Sequence, residues 1–276
     1  MNIDVALLAI FIIAGIMQGT LEWLPVSSEA LVFLFLIFCG VEEQAALVLA
    51  IMFHLPTGIA SILYYRRAYR DAIIDITKLK FSGVSRYLVL ASIATLLSAV
   101  PLYFILRWII NYLGRETLER AAIIIMIIIG CVMLATGFMI GGSKPVGTKR
   151  LVDATDRDSL FIGMVQGFAI FPGVSRSGVT MAALVYRGFD KEDSLNGSFI
   201  LCGVASIGAF LFVMLVDGSI KWIFNIYIGA SMFVSFVLSL LTMNLLVEIA
   251  GRLKYGVFLR LIGGIMIVLG LPLALI

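Results

Sequence analysis

Charged residues are scarce in this sequence. Only 13% of its 276 residues are Asp, Glu, Lys or Arg, whereas 62% are hydrophobic. Soluble globular domains carry about 25% charged residues. So few charges cannot cover a water-facing surface of this size, which excludes a soluble enzyme, a nucleic-acid-binding protein and a disordered chain. The class that remains is a polytopic membrane protein.

Histidine and cysteine are also rare, with one and three copies. Cys39, Cys131 and Cys202 all lie in apolar runs, so they indicate neither a disulfide framework nor a cysteine-rich metal centre. The single histidine, His54, cannot form a multi-histidine metal site. We expect a hydrogen-bonded role for it in the core or at a helix interface, with a role in a functional site as the alternative.

Long apolar stretches are abundant. Six are of about the length that a hydrocarbon core of ~30 Å requires: residues 44–65, 87–110, 121–140, 198–216, 222–247 and 256–276. Residues 5–40 and 160–188 are also apolar, but the polar stretches GTLEWLPVSSEA and GFAIFPGVSRSG break them centrally. Backbone that leaves a helix at membrane depth must be buried in protein or line water. Each broken region therefore predicts a re-entrant pair of half-helices.

Basic residues predict the orientation in the membrane. No Lys or Arg precedes Arg66, and six fall between residues 66 and 86. Cytoplasmic loops carry such an excess, so this loop and the polar loop 143–157 are predicted to be cytoplasmic. Both termini would then lie outside the cytoplasm, in a multi-pass protein of the cell membrane. The acidic cluster around Asp158 predicts a solvated face.

A short internal repeat relates the two broken regions. Residues 15–19, GIMQG, match residues 163–167, GMVQG, at an offset of 148. Each half then has one re-entrant pair followed by three spans, and this odd number inverts the second half, as in many transporters. The predicted fold is an all-α polytopic membrane protein with an inverted-topology repeat, about six transmembrane helices and two re-entrant half-helix pairs. It forms a single membrane domain, 1–276, with repeat 1 at about 1–142 and repeat 2 at about 158–276, joined by the polar loop 143–157.

Arg176 is one of few ionisable residues inside the apolar segments, where such groups are costly and therefore functional candidates. Pro172 and Gly173 break the helix before it, and Ser177-Gly178 can begin a new one. A helix N-terminus beside a guanidinium suits a phosphate. The alternative is an arginine that pairs with a carboxylate to join the two halves.

Glu22 is the matching candidate in the first break. It shares a helix face with Gln18, and its carboxylate could bind a divalent cation or act as a general base. Neutralising Arg176 is the simpler alternative, and both can hold. Ser27 and Ser28 could cap the next half-helix, and a catalytic role for Ser28 is equally open. Glu29 either lies exposed at the outer mouth or belongs to the site.

Two segments together resemble the undecaprenyl-diphosphatase family, the bacitracin-resistance type of integral-membrane phosphatase. They are residues 18–28, QGTLEWLPVSS, and residues 172–180, PGVSRSGVT. The resemblance covers the hydrophobic layout of the whole chain. It implies hydrolysis of a C55-type polyprenyl diphosphate to the monophosphate, which recycles the lipid carrier of envelope glycan synthesis. It also implies a divalent cation, Mg²⁺ or Ca²⁺.

The resemblance assigns roles by position. Glu22 and Gln18 would hold the metal or activate the attacking group, and Ser28 would be the active-site hydroxyl. The diphosphate would be gripped by the polar residues of both breaks: Ser27, Ser175, Arg176, Ser177 and Thr180. The partners are then a long-chain polyprenyl diphosphate and the bilayer, with no nucleic acid, and a homodimer is compatible with the sequence.

One departure from the family pattern concerns histidine. The usual continuation is Ser-Ser-Thr-Gly-His, but Leu31 stands here in the histidine position. A mechanism that requires histidine as base or nucleophile is therefore not expected. We hypothesise that Glu22 with a metal and Ser28 suffices, with Glu29 as the second carboxylate. The alternative function is a transporter that moves polyprenyl phosphate across the bilayer with the same anion site.

Overall fold

The computed structural model describes residues 5–113, 115–139, 147–171, 173–217 and 226–275. Twelve α-helices lie within these ranges: α1 Val5–Leu21, α2 Ser28–Phe38, α3 Glu43–Met52, α4 His54–Tyr64, α5 Arg66–Lys78, α6 Gly83–Leu113, α7 Arg115–Met139, α8 Asp156–Gly167, α9 Arg176–Tyr186, α10 Lys191–Asp217, α11 Ile226–Arg252 and α12 Tyr255–Leu275. In the described part of the chain, the only β pairing is a single bridge between Lys149 and Phe189. The all-α prediction is confirmed.

Four of the described stretches are long and apolar enough to cross a membrane. They are Glu43–Tyr64, which combines α3 and α4, and Gly83–Leu106, Lys191–Phe212 and Ile226–Arg252. The other two expected spans correspond to α7 and α12, whose described apolar parts, Met126–Phe138 and Tyr255–Leu271, are shorter. The protein is therefore a multi-pass membrane protein, as predicted. The expected segment at 222–225 lies outside the described residues.

The basic loop that begins at Arg66 contains a helix, α5, in addition to the predicted elements. In α5, apolar side chains recur at helical spacing beside the basic ones, and Ile73 and Ile76 are exposed. A helix with one basic and one apolar face is suited to the membrane–water interface. The loop is thus helical because its apolar and its basic residues recur with the period of an α-helix.

Helices from the first half of the chain pack against helices from the second half in matching pairs. Helix α1 packs against α11, α8 against α6, α4 against α10 and α7 against α12. The repeated glycines permit two of these contacts: Gly15 lies against the Ser231 carbonyl and Gly163 against the Ala91 carbonyl, where a Cβ would clash. Small residues allow such close approach of membrane helices. The repeat boundaries remain a prediction, and residues 143–146 of the joining loop lie outside the described residues.

Asp158 is buried, so the prediction of a solvated face is wrong for this residue. Its side chain has no exposed surface and forms ion pairs with Lys149 and, at 2.7 Å, with Arg187. It also forms a reciprocal capping box with Thr155 at the start of α8. Burial raises the pKa of Asp158, but the hydrogen bonds from Lys149, Thr155 and Arg187 outweigh it and hold the pKa below the ordinary aspartate value.

Candidate active site

The candidate site lies where two interrupted helices meet. One break separates α1 from α2 and the other separates α8 from α9, as the two polar motifs predict. Ser177 Oγ in the second break donates a hydrogen bond, 2.5 Å long, to the Leu24 carbonyl oxygen in the first. The two breaks, 153 residues apart in sequence, are therefore in direct contact.

A serine caps the second half-helix of each pair. The Ser27 hydroxyl accepts a backbone hydrogen bond in the first turn of α2, and the Ser175 hydroxyl accepts one from Gly178 in α9. Helix α9 begins at Arg176, one residue before the predicted start at Ser177-Gly178. Gly173 turns the chain with φ of +86°, so that Ser175 acts as the cap. Ser27, predicted to cap α2, does so.

A small pocket lies between the two caps. Its polar lining comes from both breaks and from α4: Glu22, Ser27, Ser28, Glu29, His54, Ser175, Arg176 and Ser177. Helices α2 and α9 thus both begin at this pocket. Helix N-termini carry free N–H groups and partial positive charge, so this arrangement is suited to an anion such as phosphate.

Glu22 is the centre of the polar contacts, and its side chain is 4% exposed. Its Oε1 accepts a hydrogen bond from Arg176 Nη2 at 2.8 Å. Its Oε2 accepts one from Ser28 Oγ at 2.7 Å and one from Gln18 Nε2 at 2.8 Å. A carboxylate that accepts from a serine hydroxyl is placed to take its proton. Neutralisation of Arg176 and activation of Ser28 are therefore compatible in one geometry.

Arg176 is held from three sides. Besides its pair with Glu22, it donates from Nη1 to the Ser198 carbonyl oxygen of α10 at 2.9 Å. Its guanidinium carbon lies 6.0 Å from the centre of the Trp23 ring. Trp23 is fully buried and packs edge-on against Phe199. Arg176 thus lines the pocket and pairs with a carboxylate at the same time.

His54 enters the pocket from the first turn of α4. Its Nδ1 lies 3.3 Å from Glu22 Oε2 and 3.2 Å from Gln18 Nε2. Its Nε2 lies 3.6 Å from Glu29 Oε2. His54 therefore has the expected hydrogen-bonded position at a helix interface, and it also lines the pocket, which is the alternative considered for it. The sequence signal was only that His54 is an ionisable residue within an apolar span, since no spacing links it to either motif.

Glu29 was expected either to be exposed at the outer mouth or to belong to the site, and it is both exposed and part of the pocket lining. Its side chain is 37% exposed, and it lines the pocket beside His54. His54 brings an imidazole to the pocket from another helix, while Leu31 occupies the family's histidine position. The expectation that no histidine acts as base or nucleophile stays a prediction.

Gln18 and Thr180 do not line the pocket. Gln18 is fully buried and donates a hydrogen bond to Glu22 without lining the pocket itself. Thr180 Oγ1 donates to the Arg176 carbonyl oxygen at 2.6 Å and to Gln166 Oε1 at 3.3 Å. The structure thus brings Ser27, Ser175 and Ser177 to the pocket but leaves these two outside its lining.

Sequence comparisons place these residues in a known family. A model of the family described as bacitracin resistance protein BacA matches residues 11–269. The chain belongs to the BacA family. It is 32% identical over 273 residues to an undecaprenyl-diphosphatase of Haloarcula marismortui, covering 96% of this chain and 97% of the relative. An undecaprenyl-diphosphatase of Methanopyrus kandleri is 31% identical over 270 residues, covering 95% of each chain.

The carboxylate oxygens in this BacA-family pocket fit a hard divalent cation that is also coordinated by the oxygens of a bound phosphate. Glu22 and Glu29 supply carboxylates to the pocket lining. Outside the lining, the buried Oε1 of Gln18 has no hydrogen-bond partner among the described residues. Within the described ranges, no group of three or more His, Cys, Asp or Glu side chains could hold a metal alone. Mg²⁺ commonly binds through one or two carboxylates together with substrate phosphates, which this donor set allows.

Proposed function

We propose that the protein hydrolyses a polyprenyl diphosphate of the undecaprenyl type to the monophosphate and inorganic phosphate, and so recycles the lipid carrier of cell-envelope glycan synthesis. The observation that carries the proposal is the hydrogen bond from Ser28 to Glu22 inside a pocket that also contains Arg176 and two helix N-termini. The names of the relatives support this substrate, and they favour hydrolysis over carrier transport.

In the proposed reaction, Arg176 and the N-termini of α2 and α9 bind the terminal phosphate. Glu22 accepts the proton of Ser28, whose oxygen attacks the terminal phosphorus. The bond from this phosphorus to the bridging oxygen breaks, and polyprenyl monophosphate leaves. Water then hydrolyses the phosphoserine, which gives inorganic phosphate and restores the hydroxyl. Positioning and charge stabilisation provide most of the catalysis in phosphoryl transfer, and this pocket supplies both.

The proposed cofactor is Mg²⁺ or Ca²⁺. Glu22 and Glu29 would hold it from the pocket wall, with the Gln18 oxygen behind them and the remaining ligands from substrate and water. When bound, the cation would neutralise charge on the phosphate oxygens. Retention of full activity by Glu29→Ala would remove Glu29 from this set.

The proposed setting is the cell membrane, with both termini outside the cytoplasm. The basic residues that begin at Arg66 support this orientation. The first break would then open toward the outside and the second toward the cytoplasm, so the two meet within the membrane. A homodimer remains a prediction.

A phosphate-release assay with purified protein and a long-chain polyprenyl diphosphate in mixed micelles tests the function. We expect release by the wild type, loss on chelation, recovery on adding Mg²⁺ or Ca²⁺, and loss in Glu22→Gln and Arg176→Ala. Arg70→Ala is the matched control, because this arginine side chain is 68% exposed, pairs with Asp71, and does not line the pocket. If the wild type releases no phosphate but accelerates carrier translocation in vesicles, the transporter alternative replaces the proposal.

A further inference from the structure

His54 has no role in the reaction described above, although it is the only histidine in the sequence and lines the pocket. We infer that His54 is a positioning residue of the proposed phosphatase: from α4 it holds the Glu22 carboxylate on the side opposite Arg176 and is itself held by Glu29. The inference rests on the proposed function and specifies how its central carboxylate is oriented.

The contacts of Glu22 explain why a second anchor is needed. The last side-chain torsion of a glutamate is broad and weakly restricted. Arg176 binds Oε1 only, so it does not by itself direct Oε2 toward Ser28. His54 Nδ1 and Gln18 Nε2 both lie at Oε2, at 3.3 and 2.8 Å. These contacts fix the rotation of the carboxylate that keeps Oε2 at 2.7 Å from Ser28 Oγ.

The imidazole is in turn fixed by its own surroundings. Its Nε2 lies 3.6 Å from Glu29, which follows Ser28 in the first turn of α2. Phe53 beside it is fully buried, and Thr57 Oγ1 donates to the His54 carbonyl oxygen at 2.9 Å. The ring therefore connects the end of α1 to the start of α2 from a separate helix. It supplies the imidazole that α2 lacks at Leu31.

Two amide variants test the contacts of the two ring nitrogens separately. Asparagine at position 54 places its amide nitrogen near the Nδ1 position, which faces Glu22. Glutamine places its amide nitrogen near the Nε2 position, which faces Glu29. We expect His54→Asn to retain most of the wild-type kcat. We expect His54→Gln and His54→Ala to lose about 10- to 100-fold, as is typical when an orienting partner is removed. KM should change little, because the inferred contacts are with Glu22 and not with phosphate.

Ser61→Ala is the structural control on the same helix. The Ser61 hydroxyl is buried and donates to the Phe199 carbonyl oxygen of α10 at 2.7 Å, so its loss should lower the melting temperature without lowering kcat. The kcat losses of Glu29→Ala and His54→Ala should be less than additive, because Glu29 acts partly through the ring, whereas its proposed cation contact is lost in either background.

Each outcome of these assays bears on one proposal. Wild-type kcat in His54→Ala, or equal losses in the Asn and Gln variants that follow their melting temperatures, would overturn the positioning role and leave the phosphatase intact. Fully additive losses from Glu29→Ala and His54→Ala would overturn the part assigned to Glu29 in holding the ring. Absence of phosphate release by the wild type would instead overturn the proposed function.

Discussion

Arg176 and Glu22 lie 154 residues apart in sequence and form an ion pair in which Nη2 and Oε1 are 2.8 Å apart. Their side chains are only 12% and 4% exposed, respectively. A buried pair gains little net stability over apolar residues, but removing one partner leaves an uncompensated buried charge. This ion pair therefore makes the contact between the two breaks dependent on both residues at once.

The first prediction separates the two roles of Arg176. Arg176→Gln should reduce kcat/KM about 100- to 1000-fold, as loss of a transition-state donor does. It should also destabilise the protein by about 3–5 kcal/mol, because Glu22 remains buried without its cation. Phosphate release and the melting temperature in detergent measure the two effects.

The double variant Arg176→Gln/Glu22→Gln is its control. It removes both charges and keeps hydrogen-bonding side chains, so most of the lost stability should return while activity stays absent. Recovery of phosphate release in the double variant would contradict the catalytic role of the pair.

The sequence allowed prediction of both members of this pair, because few ionisable groups occur at membrane depth in a chain with so few charges. The two motifs also located both helix breaks, since Gly173 and the serine caps act through local geometry. These features depend on neighbours within a few residues, which a sequence shows directly.

Three placements could not be predicted because they depend on distant packing. His54 reaches Glu22 only through the way α4 lies beside α1. Asp158 is buried because Lys149 and Arg187 approach it from other segments. Thr180 belongs to the motif by sequence, but the face of α9 on which it lies is turned toward Gln166 and away from the pocket.

The second prediction concerns the close contact between α8 and α6. Gly163→Ala would place a methyl group against the Ala91 carbonyl oxygen, in backbone that cannot yield easily. We expect a destabilisation of about 1–3 kcal/mol, typical of overpacking, measured by thermal unfolding in detergent. Gly208→Ala in α10 is the matched control, because nothing lies within 4 Å of its Cβ position. It should be neutral or stabilise by up to about 1 kcal/mol, and equal losses in both variants would argue against the contact.

The third prediction concerns the pH dependence that Asp158 gives to stability. Its pKa in the folded protein is lowered, so its contribution is fully present above the ordinary aspartate value of 3.8 and is lost as the pH falls through the folded value. Asp158→Asn should lower stability by about 1–3 kcal/mol at neutral pH, and the difference from the wild type should shrink below pH 3.8. Unfolding followed across this range measures it. Asp71→Asn, at an aspartate 53% exposed, should change the stability little. A difference for Asp158→Asn that grows in acid would refute the assignment.

The last prediction concerns the path of the prenyl chain. Phe171 lines the pocket, and Phe168 stacks on it with ring centres 6.3 Å apart and an interplanar angle of 18°. Phe168 is 51% exposed, so the two rings form an apolar path from the site to the surface. Burying a phenylalanine side chain is worth about 1.5–3 kcal/mol. Phe168→Ala should therefore raise KM for a long-chain diphosphate by about tenfold or more, with kcat little changed.

A short, water-soluble prenyl diphosphate is the comparison substrate for this variant, because its chain would not extend as far as Phe168. Its KM should be the same for wild type and Phe168→Ala. Phe233→Ala, at an equally apolar residue of α11 that is 66% exposed, should change neither KM. A rise in KM for both substrates would mean that Phe168 shapes the phosphate pocket, and an unchanged KM for the long chain would place the lipid on another surface.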